Sequence, residues 1–360
     1  MAREEPDVEP LDLVERALDL PGIRMPEIYT RPSKLSLTAA RVGGSISVVH
    51  PARLVVTFAF ALGACSGESD PAVSLAITSP EPGAMVMRDT LDGNGALVAA
   101  VALEVDVGGS PARITVSLET PELALGELDA DGHATAALGA LGPATLTATA
   151  FDAAGAALAS ATVDVIVIDP VVTTCRGWLD LYNVEYTVGP MNPGVADPVT
   201  ATVPINGMPF RSSGALRTKM FGDCTIIKSL AEAAPMLRAK QIVEVTDLGV
   251  YNYRCIGNTG TPPNCPNGIS QHAYGNAIDL AVFKDTTGTS YSVAADFVID
   301  PAPEKTCTAA TVPGKDAFLH ELICGLKDAK LWNIVLTPNY NAAHRDHFHV
   351  DLTAGSDFLR

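Results

Sequence analysis

A chain of 360 residues exceeds one ordinary domain and can bury two cores, and 47 % apolar against 18 % charged residues is a globular balance, which excludes a largely disordered protein. The formal net charge of -17 excludes nucleic-acid binding, because residues 66–170 hold 2 basic against 15 acidic residues and no segment supplies a basic stripe. The flanking segments are nearer balance, with 7 against 8 in residues 1–65 and 15 against 18 in residues 171–360.

In chain order, residues 1–48 are rich in Glu, Asp and Pro and precede what reads as a signal peptide. They are expected to be a disordered segment or the product of a start codon placed too far upstream, with initiation at Met25, Val48 or Val49. Residues 49–65 contain Arg53 and then a short apolar run ending Leu62-Gly63-Ala64-Cys65. The run is too short to span a bilayer but suits a signal h-region; the competing reading is a buried strand. The pattern resembles the bacterial lipobox, which implies cleavage before Cys65, lipidation of its sulfur, and an exported, membrane-anchored lipoprotein.

Residues 71–170 lack cysteine and alternate Val, Leu, Ala and Thr runs with Gly, Pro, Asp and Asn turns. VALEVDV, ARITVSLE, ATLTATAFD and ATVDVIVID show period-two patterning, broken at Gly108-Gly109, Asp131-Gly132 and Gly155. This predicts an all-β immunoglobulin-like sandwich, and it resembles bacterial modules that space exported enzymes from a membrane. No His, Asp and Glu cluster stands out here, so a spacer is favoured over calcium or sugar binding.

Residues 171–360 are predicted to form an α+β domain. Helical spacing covers Thr225–Ala239 and Lys315–Ala329, and strands are predicted at 242–245 and 334–336. Six cysteines, Cys175, Cys224, Cys255, Cys265, Cys307 and Cys324, favour three disulfides over a zinc cluster, which would want C-x-x-C pairs. Nearest-neighbour pairing is one of fifteen connectivities and the sequence leaves all of them open.

Chemistry concentrates in two stretches, Ser270–Asp279 and His344–Leu352. Strand parity puts Ile278, Leu280 and Val282 on one face and Ala277, Asp279 and Ala281 on the other. In the second stretch it turns Phe348, Val350 and Leu352 inward, opposite His347, His349 and Asp351. If the strands are neighbours, Asp279 and His349 converge, and His272 on the preceding loop supplies a third position, with Gly275 easing the turn. Two imidazoles and a carboxylate suit Zn2+ with one position left open, as catalytic zinc requires. Either histidine alone reads better as a packed core residue. Three histidines within six residues plus His-x6-Asp do not, and His50, His133 and His320 read as incidental.

The motifs S-x-H-x-x-G-x-A-x-D at 270–279 and H-x-x-H-x-H at 344–349, with Tyr251-Asn252-Tyr253-Arg254 upstream, resemble the extensin-like C-terminal family. That family is placed within the lysostaphin-like and D-Ala-D-Ala-cleaving zinc peptidases, over roughly Cys175 to Leu352. The resemblance implies zinc held by His272, Asp279 and His349, substrate contact by Arg254, and hydrolysis of peptidoglycan peptides. With it, His347 is expected to act as base or transition-state donor, Asp346 to orient His347 or His344, and Ser270 and Tyr274 to meet substrate. The alternative is a non-catalytic, zinc-containing wall- or protein-binding module of an envelope lipoprotein.

Overall fold

The computed structural model describes residues 72–119, 122–129, 131–300 and 305–360. The expectations for the 1–48 extension, the 49–65 leader and lipidated Cys65 lie outside the described residues.

The first part is two facing β-sheets. One contains β1 (Ser74–Ser79), β3 (Thr90–Leu91), β4 (Leu97–Gly108) and β7 (His133–Leu138). The other runs β2 (Ala84–Met87), β9 (Ala157–Ile168), β8 (Gly142–Phe151), β5 (Arg113–Glu119), β6 (Glu122–Glu127). Period-two patterning builds the core between them: Ala99, Val101 and Leu103 from β4 meet Leu146 from β8 and Val163, Val165 and Val167 from β9. Burial of each larger side chain contributes about 1.5–3 kcal/mol.

A repeated D-x-x-G signal closes three of the turns. Oδ1 of Asp92, Asp129 and Asp152 each accepts from the backbone N–H groups two and four residues on, at 2.8–3.0 Å. The third following residue is Gly95, Gly132 or Gly155, each at φ between 74° and 86°. Part of the acidity of this segment therefore closes hairpins instead of only solvating a face.

The second part carries β10 (Tyr186–Val188), β11 (Pro198–Thr202) and β14 (Lys219–Asp223) as a small antiparallel sheet. An eight-stranded sheet follows the order β13 (Ala215–Leu216), β12 (Phe210–Ser212), β15 (Ile242–Gly249), β16 (Ala277–Asp285), β19 (Phe348–Asp351), β18 (Ile334–Leu336), β20 (Phe358–Leu359), with β17 (Ser290–Ser292) on β16. Among the described residues four α-helices accompany it: α1 (Cys175–Leu181), α2 (Cys224–Ala239), α3 (Val293–Asp296) and α4 (Lys315–Asp328).

Helix α2 starts where the Asp223 carboxylate accepts the Thr225 N–H at 3.1 Å. Its Ile226, Ile227, Leu230 and Leu237, and Leu319, Leu322, Ile323 and Leu326 of α4, recur at helical spacing and enter one core with Val245, Ile278, Leu280, Phe348 and Val350. Trp332 is fully buried there and its indole N–H donates to Ser229 Oγ at 3.0 Å.

One parity expectation fails. Ile278 and Leu280 face the core, but Phe283, not Val282, is the next residue on that face. Adjacent Asp247 and Thr246 pair with Leu280 and Val282, so Ala281 is an extra residue that bulges β16 and reverses its alternation. The disulfides are Cys175–Cys224, Cys255–Cys265 and Cys307–Cys324, the nearest-neighbour set.

The two parts touch directly. Arg238 of α2 donates from Nε to the Asn94 carbonyl at 2.7 Å, Asn206 Nδ2 donates to the Gly95 carbonyl at 2.9 Å, and Leu97 belongs to the second core. Among the described residues no helix is long and apolar enough to cross a membrane.

Candidate metal centre

His272 lies on a short 3-10 turn, Gln271–Tyr274, that ends at Gly275 with φ 63°. The Gly275 carbonyl accepts the Asp223 N–H at 2.8 Å, and a Cβ on Gly275 would stand 2.9 Å from that nitrogen. Glycine thus supplies both the left-handed conformation and the close approach that pins the turn to the start of α2. Asp279 on β16 and His349 on β19 are directly opposed in the antiparallel register, so their side chains leave the sheet together.

His272 Nε2 lies 3.1 Å from both Asp279 Oδ1 and His349 Nδ1, and His349 Nδ1 lies 2.9 Å from Asp279 Oδ1. The outer nitrogen of each imidazole is already committed. His272 Nδ1 donates to the Val250 carbonyl at 2.8 Å, and His349 Nε2 donates to Asp351 Oδ2 at 3.0 Å. In their neutral forms both rings therefore point lone pairs inward at a carboxylate oxygen, three acceptors within one small triangle, an arrangement that needs a cation at its centre.

The triangle fits zinc. Bonds of about 2.0–2.1 Å in a tetrahedron set ligand atoms about 3.3–3.4 Å apart, a few tenths of an ångström wider than the distances here. Two nitrogens and one oxygen suit that ion better than calcium or magnesium, which favour all-oxygen sets. Cys175, Asp197 and Cys224 also cluster, but the two sulfurs form a disulfide and are not thiolate ligands.

The electrostatics agree. Burial opposes ionisation of Asp279, yet hydrogen bonds from His272 and His349 outweigh it and hold the carboxyl far below its usual range. Burial likewise opposes a charge on His349, but its hydrogen bonds to Asp279 and Asp351 push the imidazole up to about 9. A proton on His349 Nδ1 and a divalent ion would therefore compete for the same position.

His347 is next in reach. Its Nε2 lies 3.4 Å from Asp279 Oδ1 and its Nδ1 donates to Asp346 Oδ1 at 2.7 Å, so Asp346 orients it. His344 donates from Nδ1 to Asn341 Oδ1 at 2.8 Å, and its ring centroid lies 5.3 Å from that of His347 and 5.8 Å from that of His349. Burial first, then the neighbouring imidazoles, lower His344 to about 4 and keep it neutral.

His272, Asp279, His344, His347 and His349 line a cavity of about 820 Å³, while Asp346 stands behind His347 outside its lining. Arg254 and Ser270 line it too, with Ile256, Asn258 and Gln271 on one side, Tyr340 and Asn341 on another, and Ile334, Leu336 and Phe358 apolar. Tyr274 corrects the expectation: it is not a lining residue, because the 3-10 turn that aims His272 inward carries Tyr274 outward, 37 % exposed. Neither Asp351 nor the Val250 carbonyl is among the expected site residues. Parity did put Asp351 on the His349 face, and a carboxylate two residues from a ligand-type histidine was the available signal.

Residues 189–359 match the family described as extensin-like protein C-terminus. The matched segment contains the whole cluster, from Arg254 to Asp351. No curated protein matches the chain. Among solved structures, the fibronectin(III)-like modules of Clostridium thermocellum CbhA are 18 % identical with a TM-score of 0.21, covering 27 % of this chain and 98 % of theirs. SGBP-B of the Bacteroides ovatus mixed-linkage glucan utilization locus, in complex with a mixed-linkage heptasaccharide, is 13 % identical with a TM-score of 0.21, covering 63 % of this chain and 46 % of that one.

Proposed function

We propose that the extensin-like segment is a zinc-dependent peptidase acting on peptides of bacterial peptidoglycan. The observation that carries this reading is the inward triangle of His272 Nε2, Asp279 Oδ1 and His349 Nδ1 at the wall of a cavity large enough for a peptide. Bound zinc supplies Lewis acidity and makes water nucleophilic near neutral pH.

The chain's own groups divide the remaining work. His347 takes up and returns a proton at Nε2, since Nδ1 is tied to Asp346 and Nε2 faces the cluster. His344, neutral near pH 7 with its proton on Nδ1 toward Asn341, offers Nε2 as an acceptor on the same wall. Arg254 has no hydrogen-bond or ion-pair partner for its guanidinium among the described residues, so a substrate carboxylate or developing oxyanion is its natural partner. The apolar residues Ile334, Leu336 and Phe358 receive aliphatic substrate surface and exclude water. Peptidoglycan as substrate rests on the family resemblance.

Export as a lipid-anchored envelope protein belongs to the same proposal. It rests on the Leu62–Cys65 pattern and on three disulfides, which persist in oxidising compartments. The test is digestion of purified peptidoglycan by the parent protein and by His349→Ala. New muropeptides from the parent alone are expected. Zinc bound without any product would favour a wall-binding module instead.

A further inference from the structure

We propose that Asp351 is a positioning residue that fixes the tautomer of His349 and thereby sets the affinity of the cluster for its cation. The inference rests on reading the cluster as a metal centre. Asp351 is buried on β19, paired across the sheet with Ala277 and Ile334, and its two oxygens are separately committed. Oδ2 accepts the His349 Nε2–H at 3.0 Å, and Oδ1 accepts the Thr353 N–H at 2.8 Å. A buried carboxylate is costly unless something uses its charge, and among the described residues the only charged or chargeable partner of Asp351 is His349.

The two ligand imidazoles are anchored unequally. A neutral carbonyl, that of Val250, holds His272, whereas a full carboxylate holds His349. Both anchors hold a proton on the outer nitrogen and leave a lone pair on the inner one. Capping the Thr353 N–H alone would not need a carboxylate, since an amide oxygen serves that turn as well.

Asp351→Asn separates the two roles. The amide oxygen stays with the Thr353 N–H and its NH2 group then faces His349 Nε2. Two donors cannot face each other, so His349 moves its proton to Nδ1, where it blocks the inward lone pair.

Zinc is titrated into the full chain and into Asp351→Asn with a competing chelator, and the His349 ring nitrogens are followed by 15N NMR in chelator above about pH 10, where an imidazole raised to about 9 is neutral and its tautomer can be read. The expected result is zinc affinity weakened 10- to 100-fold, the range typical of lost outer partners of metal-binding histidines. A His349 signal shifted from Nε2–H to Nδ1–H, in a variant whose NMR spectrum is otherwise that of the folded parent, completes it. Affinity within about threefold of the parent, or an unchanged tautomer, overturns the role of Asp351. If the parent itself binds no zinc, the metal reading fails separately, while the NMR comparison still decides whether Asp351 sets the tautomer.

Discussion

Arg217→Met should destabilise the protein strongly, and more at neutral than at acid pH. Asp247 on β15 is completely buried and pairs in register with Leu280, the neighbour of Asp279. Its carboxylate is held by Arg217 through two hydrogen bonds, Nε to Oδ2 at 2.8 Å and Nη2 to Oδ1 at 2.6 Å. Burial still raises its pKa, against the lowering effect of Arg217 and with a further push from Asp279. The pair therefore does not fully offset its own desolvation, and removing one partner leaves an uncompensated buried charge, a loss of about 3–5 kcal/mol. The sign with pH follows from the raised folded pKa: the penalty is absent below the unfolded carboxylate value of about 4 and grows as pH rises toward the folded value. Urea unfolding at pH 7 and pH 5 measures both, as variant minus parent. Arg217→Met/Asp247→Leu should return to within about 1 kcal/mol of the parent at both pH values, because an apolar pair of similar volume needs no counter-charge. A single variant within 1 kcal/mol of the parent at pH 7, or a loss equal at the two pH values, would refute the reasoning.

Three further outcomes are expected. His347→Ala should bind zinc as the parent does yet lose about 10²- to 10⁴-fold in turnover, read from chelator-competition titration and product formation; equal turnover would remove His347 from the chemistry. Zinc affinity should fall about tenfold for each pH unit between 8 and 6, because protonation of His349, raised to about 9, competes with the ion. Gly275→Ala should weaken zinc binding by shifting the His272 turn off Asp223, whereas Gly155→Ala, at φ 86° with open space around it, should cost only about 1–2 kcal/mol of backbone strain and leave metal binding intact.

Much of the centre was legible because strand parity is a local rule. Alternation placed Asp279 and His349 on the faces where the structure has them, and adjacency of β16 and β19 did the rest. The turn at Gly275 and the helices over 224–239 and 315–328 were legible for the same reason, being set by spacing and by glycine's freedom. The bulge at Ala281 was not, since it depends on the register of a strand about thirty residues earlier. The Val250 carbonyl was invisible because a backbone acceptor has no sequence signature. The role of Asp351 needs its distance to His349 Nε2, and Tyr274 was misplaced because a 3-10 turn separates its direction from that of His272. The seating of the 92–96 hairpin on α2, through Asn94, Gly95 and Leu97, is a long-range contact that no local pattern encodes.

The central claim is that His272, Asp279 and His349 hold one zinc ion, and crystals of the protein grown with zinc, with anomalous data collected across the zinc absorption edge, test it most directly. The account predicts a single strong peak about 2.0–2.2 Å from His272 Nε2, Asp279 Oδ1 and His349 Nδ1. A map with no peak there, or with zinc bound only elsewhere, would contradict it.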